Sequence, residues 1–217
     1  MSANLWRLIE PALLKHADRT AWICRQRKGR REVLYNEIHG AALTTAHALR
    51  NAGIAAGDTV GITAPNGPEW TVAALATWRI GAMVAPIHIG NSDHEIAAQI
   101  EAVNPDAMLV YESEISHRRR LEISMSADQT AVDMENQIEA ASDPDAVAAR
   151  IYTSGSTGNP KVVRLSHGNL AAHVLAAMKV ESFGSEDRFI SLLPFSHAMG
   201  ITGNVNLPYY VGATLVS

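Results

Sequence analysis

The sequence has 217 residues, of which 47% are hydrophobic and 18% are charged, as in ordinary globular proteins. Its net charge of -4 gives no electrostatic footprint for nucleic acid or an anionic membrane surface. No apolar run reaches the roughly 20 residues needed to cross a bilayer, so we expect no membrane span. The single cysteine, Cys24, excludes an internal disulfide and is typical of a small core residue. We therefore expect a cytoplasmic protein.

The first part of the chain alternates between strand-like and helical patterns. Residues 21–25 and 31–35 flank a Lys28-Gly29 turn and predict a β-hairpin. Asn36 is a candidate helix cap, and Gly53 is a candidate terminator of the helix that follows. Further strands are predicted at VGITA, MVAPI and AMLVY, separated by helices at TVAALATWRIG and EIAAQIEAV. Single helices between strands imply crossover connections, and therefore an α/β fold with mostly parallel sheets flanked by helices.

Residues 113–146 have a different composition from the segments on either side. They are polar, with the basic run HRRR and the acidic run ENQIEAASDPD. We interpret them as a variable surface segment containing one helix, with a plain linker as the alternative. After residue 146, NLAAHVLAAMKV predicts a helix, FISLLP a strand, SHAMGITGNVNLPYYVG a loop entering a helix, and ATLVS a strand.

The stretch YTSGSTGNPKVVRLSHGNL carries the strongest chemical signal in the sequence. Gly155 and Gly158 permit backbone angles that side chains forbid, so neighbouring amides can converge on an anion. Four hydroxyl donors and one cation surround these glycines: Thr153, Ser154, Ser156, Thr157 and Lys161. Many small donors suit the many acceptor oxygens of a polyphosphate, and a mobile ammonium adds charge. The pattern predicts a phosphate-binding loop; a flexible hairpin turn is the alternative.

The loop differs from that of P-loop nucleotidases in its spacing and in its flanks. Those enzymes place Ser or Thr directly after the lysine, whereas Val162 follows Lys161 here. The residues that follow, VVRL, predict a strand rather than a helix. We therefore expect the loop to connect two strands.

With its flanks, the motif YTSGSTGNPKVVRLSHGNL resembles the phosphate-loop signature of the adenylate-forming superfamily, which includes acyl-CoA synthetases, peptide-synthetase adenylation domains and luciferases. A second motif of that superfamily is similar to LLPFSHAMG, at residues 192–200. Upstream, residues 35–87 are similar to its opening helices and strands. The resemblance covers nearly the whole chain. Val162 departs from it, because the superfamily usually has glycine at that position.

This resemblance implies an ATP-dependent enzyme that joins a small carboxylic acid to AMP and usually passes the acyl group to a thiol of CoA or of a carrier protein. It implies that Thr153 to Gly158 and Lys161 hold the β- and γ-phosphates. It also implies that His197 faces the acyl pocket and the α-phosphate, a core or helix-capping histidine being the alternative. His167 is expected to orient the strand beside the loop. The remaining histidines, His88 among them, are interpreted as surface or core residues.

The resemblance also implies a larger enzyme than residues 1–217. Superfamily members are about twice as long or more, and the motifs that hold Mg²⁺ and ribose and supply the adenylation lysine have no counterpart here. We expect the chain to be the incomplete N-terminal portion of an AMP-binding large domain and to be inactive alone. We expect the magnesium ligand to lie mostly outside this chain. The alternative is a natural short nucleotide-binding or interaction module without catalysis of its own. A cut sheet would expose strand edges, so we also expect dimerisation or association with the remainder.

Overall fold

The computed structural model describes residues 4–26, 29–153 and 161–217. The strands within them form two sheets. They are β1 (Thr20–Gln26), β2 (Gly29–Leu34), β3 (Thr59–Thr63), β4 (Met83–Pro86), β5 (Ala107–Val110), β6 (Arg120–Glu122), β7 (Val147–Thr153), β8 (Lys161–Ser166), β9 (Arg188–Ile190) and β10 (Thr214–Val216). The helices are α1 (Leu5–Lys15), α2 (Tyr35–Asn51), α3 (Pro68–Arg79), α4 (Asp93–Val103), α5 (Gln129–Asn136), α6 (His167–Val180), α7 (Ala198–Ile201) and α8 (Leu207–Val211), with a π-helical turn at Thr202–Asn206 between the last two.

The larger sheet has the strand order β6-β5-β3-β4-β7-β8. Its neighbouring strands are parallel except at one edge, where β8 runs antiparallel to β7. Every residue of β3 and β5 is buried, which is expected where helices cover both faces of a parallel sheet. The smaller sheet, ordered β2-β1-β10-β9, joins the β1–β2 hairpin to two parallel strands from the end of the chain. The predicted α/β class with mostly parallel sheets is confirmed.

Helix α3 lies at the centre of the structure, and all twelve of its residues are buried. Its Trp78 indole N–H donates to the carbonyl of Ala148 on β7 at 3.0 Å, which ties the helix to the larger sheet. A buried tryptophan needs such a partner, since its polar atom has left water. The core around α3 is continuous from α1 to β10.

The structure corrects one predicted helix cap and adds one helix that was not predicted. Asn36 does not cap α2: the helix begins at Tyr35, and the carboxylate of Glu37 accepts the N–H of Leu34 at 2.7 Å. Because Glu37 satisfies this free donor, the helix starts ahead of Asn36. Helix α1 was not predicted, since Pro11 interrupts its pattern. Three fully buried side chains on one stripe, Leu5, Ile9 and Leu13, each contribute about 1.5 to 3 kcal/mol of burial and together offset the roughly 3 kcal/mol cost of an internal proline.

Residues 113–146 contain α5, as well as β6, which the sequence did not indicate. Glu135 on α5 is fully buried, and its two carboxylate oxygens contact Arg50 Nε at 3.0 Å and Arg79 Nε at 3.2 Å. Arg79 is itself only 4% exposed. A charged contact therefore attaches this segment to the helices α2 and α3.

Across the three described ranges, every helix is too short or too polar to traverse a bilayer.

Candidate nucleotide site

The predicted phosphate loop is flanked by two strands, as its sequence indicates. Thr153 is the last residue of β7 and Lys161 the first of β8, and the two are register partners across the antiparallel pair. The Thr153 hydroxyl donates to the carbonyl oxygen of Lys161 at 3.3 Å, and both residues are exposed. The loop residues between them, including Ser154, Gly155, Ser156, Thr157 and Gly158, lie outside the described residues.

Strand β8 forms because its apolar residues suit a pleated edge. Val162 and Val163 are β-branched, which favours strands, and Val162 packs against a cluster that includes Ala85, Ile87 and Val110. Val162 is the register partner of Tyr152 on β7, so the pairing of the two strands is regular at the residue that follows Lys161. The backbone of Lys161 is therefore fixed at the start of β8.

A cavity of about 460 Å³ opens at the carboxyl edge of the larger sheet. Ligands of open parallel α/β sheets bind at this edge, beyond the ends of the strands. The structure brings two predicted site residues, Thr153 and His197, to the wall of this one cavity. Apart from Pro86, the other residues lining it are polar and come from several elements: His88, Asn91, Glu95, Gln99, Tyr152 and Ser196. Lys161 is not one of the lining residues, but its backbone adjoins Thr153 at the rim.

His197 is carried by the segment 191–197, which precedes α7. Phe195 anchors this segment: it is 1% exposed, and its ring packs edge-on against Trp70 with centroids 5.2 Å apart. Gly200 in α7 completes the contact, because a Cβ there would overlap the carbonyl of Pro194. His197 itself is exposed at the N-terminus of α7. It is therefore neither a core residue nor a side-chain helix cap, the alternatives open from sequence.

His88 is a site residue that the sequence analysis missed. Its Nδ1 lies 3.0 Å from the Ser196 hydroxyl, and its ring centroid lies 6.1 Å from that of His197. Its backbone N–H donates to Gln99 Oε1 at 3.1 Å. The available signal was its place directly after the predicted strand MVAPI, since carboxyl ends of parallel strands converge on one edge.

His167 lies away from the cavity, at the first turn of α6. It is fully buried, the N–H of Leu5 donates to its Nδ1 at 3.3 Å, and its Nε2 lies 3.2 Å from the amide nitrogen of Asn4. Burial lowers the pKa of His167 to about 4, so the imidazole is neutral at pH 7. The side chain thus links α6 to the start of α1.

Two other features bear on possible chemistry: the cysteine thiol and the side chains that could bind a metal ion. Cys24 on β1 is half-buried, and burial raises the pKa of its thiol, which makes it a poor nucleophile. Within the described part of the chain, His, Cys, Asp and Glu side chains form no group of three or more that could hold a metal ion. Glu95 is the carboxylate that lines the cavity there.

Comparisons with known proteins agree on the family to which this chain is similar. The sequence profile described as AMP-binding enzyme matches residues 9–217. The PKS-NRPS hybrid synthetase acdB of Aspergillus candidus is 30% identical over 88% of this chain and 8% of its own length. A putative ligase of Mycobacterium tuberculosis is 30% identical over 84% of this chain and 36% of its own length.

A solved structure with the same fold is apo MatB from Rhodopseudomonas palustris, with a TM-score of 0.79 and 24% identity. It is matched over all of this chain and 45% of its own. The chain therefore spans less than half the length of each of these three proteins. The family profile extends over both flanks of the phosphate loop and over His197. The chain belongs to the AMP-binding enzyme family, whose members form adenylates.

Proposed function

We propose that this chain is the N-terminal portion of an ATP-dependent ligase that activates a small carboxylic acid as its acyl-adenylate. What supports the proposal is one juxtaposition: Thr153 at the end of β7 lines the same cavity as His197, and its register partner is Lys161, the first residue of β8. The site lies where parallel sheets bind ligands. The relatives are named as ligases and synthetases, and the family profile covers the site.

Each of the three described residues has a distinct role in the proposal. The Thr153 hydroxyl, with those of Ser154, Ser156 and Thr157 and the amides of Gly155 and Gly158, would hold the β- and γ-phosphates of ATP. The Lys161 ammonium would neutralise charge on the departing pyrophosphate. His197 would donate to the carboxylate or the α-phosphate oxygens across the cavity. Donors fixed in place before charge develops are usually the largest catalytic contribution.

The chemistry explains why such a site needs many donors. A carboxylate is a poor electrophile, and its oxygen must bond to the α-phosphorus while the bond to pyrophosphate breaks. The resulting mixed anhydride has AMP as a good leaving group, and a thiol of CoA or of a carrier protein then takes the acyl group. A magnesium ion would balance the phosphate charge, with most of its ligands outside this chain.

The nucleotide part of the proposal is tested by titrating the chain with a fluorescent ATP analogue. We expect saturable binding, and we expect Lys161→Ala to weaken it about 10-fold to 100-fold, because a charge-assisted hydrogen bond contributes about 1.5 to 3 kcal/mol. Lys179→Ala is the matched control, since Lys179 is an exposed lysine at the far end of α6. An unsaturable titration, or equal losses in both variants, would overturn the proposal.

The catalytic part is tested by carboxylate-dependent pyrophosphate exchange. We expect none from residues 1–217 alone, because the resemblance places the adenylation lysine and the ribose ligand elsewhere. Exchange above the level of the Lys161→Ala variant would contradict this and would make the chain a complete catalyst.

Association with further protein is the remaining part of the proposal. Strand β9 is at the end of the smaller sheet, and apolar side chains near it are exposed, with Ile190 65% and Leu192 78% accessible. Such an edge favours pairing with another chain segment. Sedimentation of the purified chain should show dimers or marginal thermal stability, whereas a stable monomer with a high melting temperature would count against it.

A further inference from the structure

The segment 191–197 is held by side chains that follow two adjacent parallel strands. Asn66 follows β3 and His88 follows β4, and β3 and β4 are hydrogen-bonded neighbours. Both residues reach the segment that carries His197. Since the carboxyl ends of parallel strands share one edge, these two anchors are fixed by the sheet itself.

Asn66 binds the middle of the segment through both atoms of its amide. Its Nδ2 donates to the carbonyl of Leu193 at 2.8 Å and to the Ser191 hydroxyl at 3.3 Å. Its Oδ1 accepts the N–H of Phe195 at 3.0 Å. A carboxamide that both donates and accepts in this way substitutes for a strand neighbour, and it fixes the backbone direction just before Ser196.

His88 binds the end of the segment. Its Nδ1 and the Ser196 hydroxyl are 3.0 Å apart, and Ser196 immediately precedes His197. Gln99, only 4% exposed, accepts the backbone N–H of His88 and fixes the residue at its base. Gly90 leaves room for the ring, since a Cβ there would lie 3.0 Å from His88 Nε2.

The segment has little burial of its own to hold it. Leu192 is 78% exposed, Leu193 is 45% exposed and Met199, just beyond His197, is 65% exposed. Phe195 alone among the apolar residues of 191–197 reaches the core. Its position on either side of that anchor therefore depends on hydrogen bonds: those of the Asn66 and His88 side chains, and the backbone bonds from Ser191 to Val216 and from His197 to Pro194.

We propose that Asn66, His88 and Ser196 form a loop clamp of positioning residues that sets His197 in the wall of the cavity that Thr153 also lines. This inference rests on the proposed function, because it names the residues through which the site's histidine is placed. In this proposal the clamp acts on the ligand by fixing the position of His197.

The first test compares substitutions at His88 in the fluorescent ATP-analogue titration. Asparagine places a polar atom near the position of Nδ1, whereas glutamine places one near Nε2. We expect His88→Gln to weaken binding about three- to ten-fold, the range for one hydrogen bond, and His88→Asn to weaken it less. Ser196→Ala should match His88→Gln. Equal affinities of the Asn and Gln variants would overturn the clamp, with thermal melts excluding unfolding as the cause.

The second test asks whether the clamp acts through His197. If it does, Ser196→Ala should weaken binding in the wild-type background and have no further effect in a His197→Ala background. Coupled positions show such non-additivity, whereas independent ones add. Additive losses would show that Ser196 acts elsewhere, and this outcome would reject the proposal.

A third measurement does not depend on nucleotide binding. The rings of His88 and His197 are close enough for a nuclear Overhauser effect between their protons. We expect that signal in the wild type, a loss of it in Ser196→Ala and Asn66→Asp, and no change in Ser182→Ala, a control at an exposed serine. If the wild type binds no nucleotide, the proposed function fails while this signal alone decides the clamp; a signal unchanged in both clamp variants refutes it.

Discussion

Two groups of polar side chains in this protein are built from similar chemistry and have opposite surroundings. The buried ion cluster, Arg50, Arg79 and Glu135, lies in the helical layer, where Glu135 is fully buried and Arg79 is 4% exposed. The loop clamp lies at the carboxyl edge of the larger sheet and opens on a cavity of about 460 Å³. In the first group every charge faces a protein partner. In the second, the groups next to the clamp remain available to a ligand.

The contrast separates stability from binding. A buried charge that loses its partner stays desolvated, so breaking the ion cluster is costly. A polar group at an open edge regains water when its partner is removed, so the cost to folding is small. Substitutions in the ion cluster should therefore change unfolding, and substitutions at the site should change affinity.

The largest effect is expected from Glu135→Gln. The change removes the negative charge between Arg79 and Arg50 and leaves the buried Arg79 guanidinium with a more distant counter-charge, Glu10 at 3.9 Å. Breaking a buried pair in this way destabilises by about 3 kcal/mol or more. Urea denaturation followed by circular dichroism measures the loss.

Glu139→Gln is the matched control for that experiment. Glu139 is four residues away and pairs with Arg7 at 2.8 Å, but its side chain is 86% exposed. A surface pair contributes at most about 1 kcal/mol. If both variants lost a similar free energy of unfolding, the distinction between a buried ion pair and an exposed one would not hold.

The buried contact of His167 with Asn4 and Leu5 should make the free energy of unfolding depend on pH. The pKa of His167 is about 4 in the folded protein, against about 6.5 in an unfolded chain. Between these values the unfolded state binds a proton that the folded state does not, so stability is full above pH 6.5 and falls as pH drops towards 4. The difference corresponds to about 3 kcal/mol. Denaturation midpoints at pH 7.0 and 4.5 should show it.

Removing His167 should flatten this pH response. His167→Asn deletes the titrating ring and should reduce the change between pH 7.0 and 4.5 by most of that amount. His173→Asn, on the exposed side of the same helix, should leave the response as in the wild type. Equal slopes in the wild type and His167→Asn would show that other groups govern acid unfolding.

The sequence predicted the alternating strands and helices because their periods repeat over many residues, as in β3, α3, β4 and α4. The resemblance to the adenylate-forming superfamily also implied that Thr153 and His197 belong to one site. The sequence did not predict His88, Asn66 or Glu135. Each of these acts through a partner distant in the chain, such as Ser196, Phe195 or Arg79, and no local period records such a pairing. Helix α1 was missed because burial outweighed the proline signal.

The smallest effects on stability are expected at two helix caps. Both are serines, but they lie at different distances from the cavity. Ser166 accepts the N–H of Asn169 at the start of α6, and Ser92 accepts that of Glu95 at the start of α4. Substituting either by alanine should lower stability by about 1 kcal/mol, since each helix loses one satisfied donor. Thermal unfolding of both variants checks that they match.

Affinity should separate these two caps. Ser166 lies at the end of β8 opposite to Lys161, about 17 Å along the strand, so its loss should leave the Kd for the ATP analogue unchanged. Ser92 also binds the carboxylate of Glu95, which lines the cavity. The Ser92 substitution frees a negative charge beside the proposed nucleotide site and should weaken binding slightly. If both variants weakened binding equally, the open site would be responding to global stability rather than to its own wall, and the division between the two regions would fail.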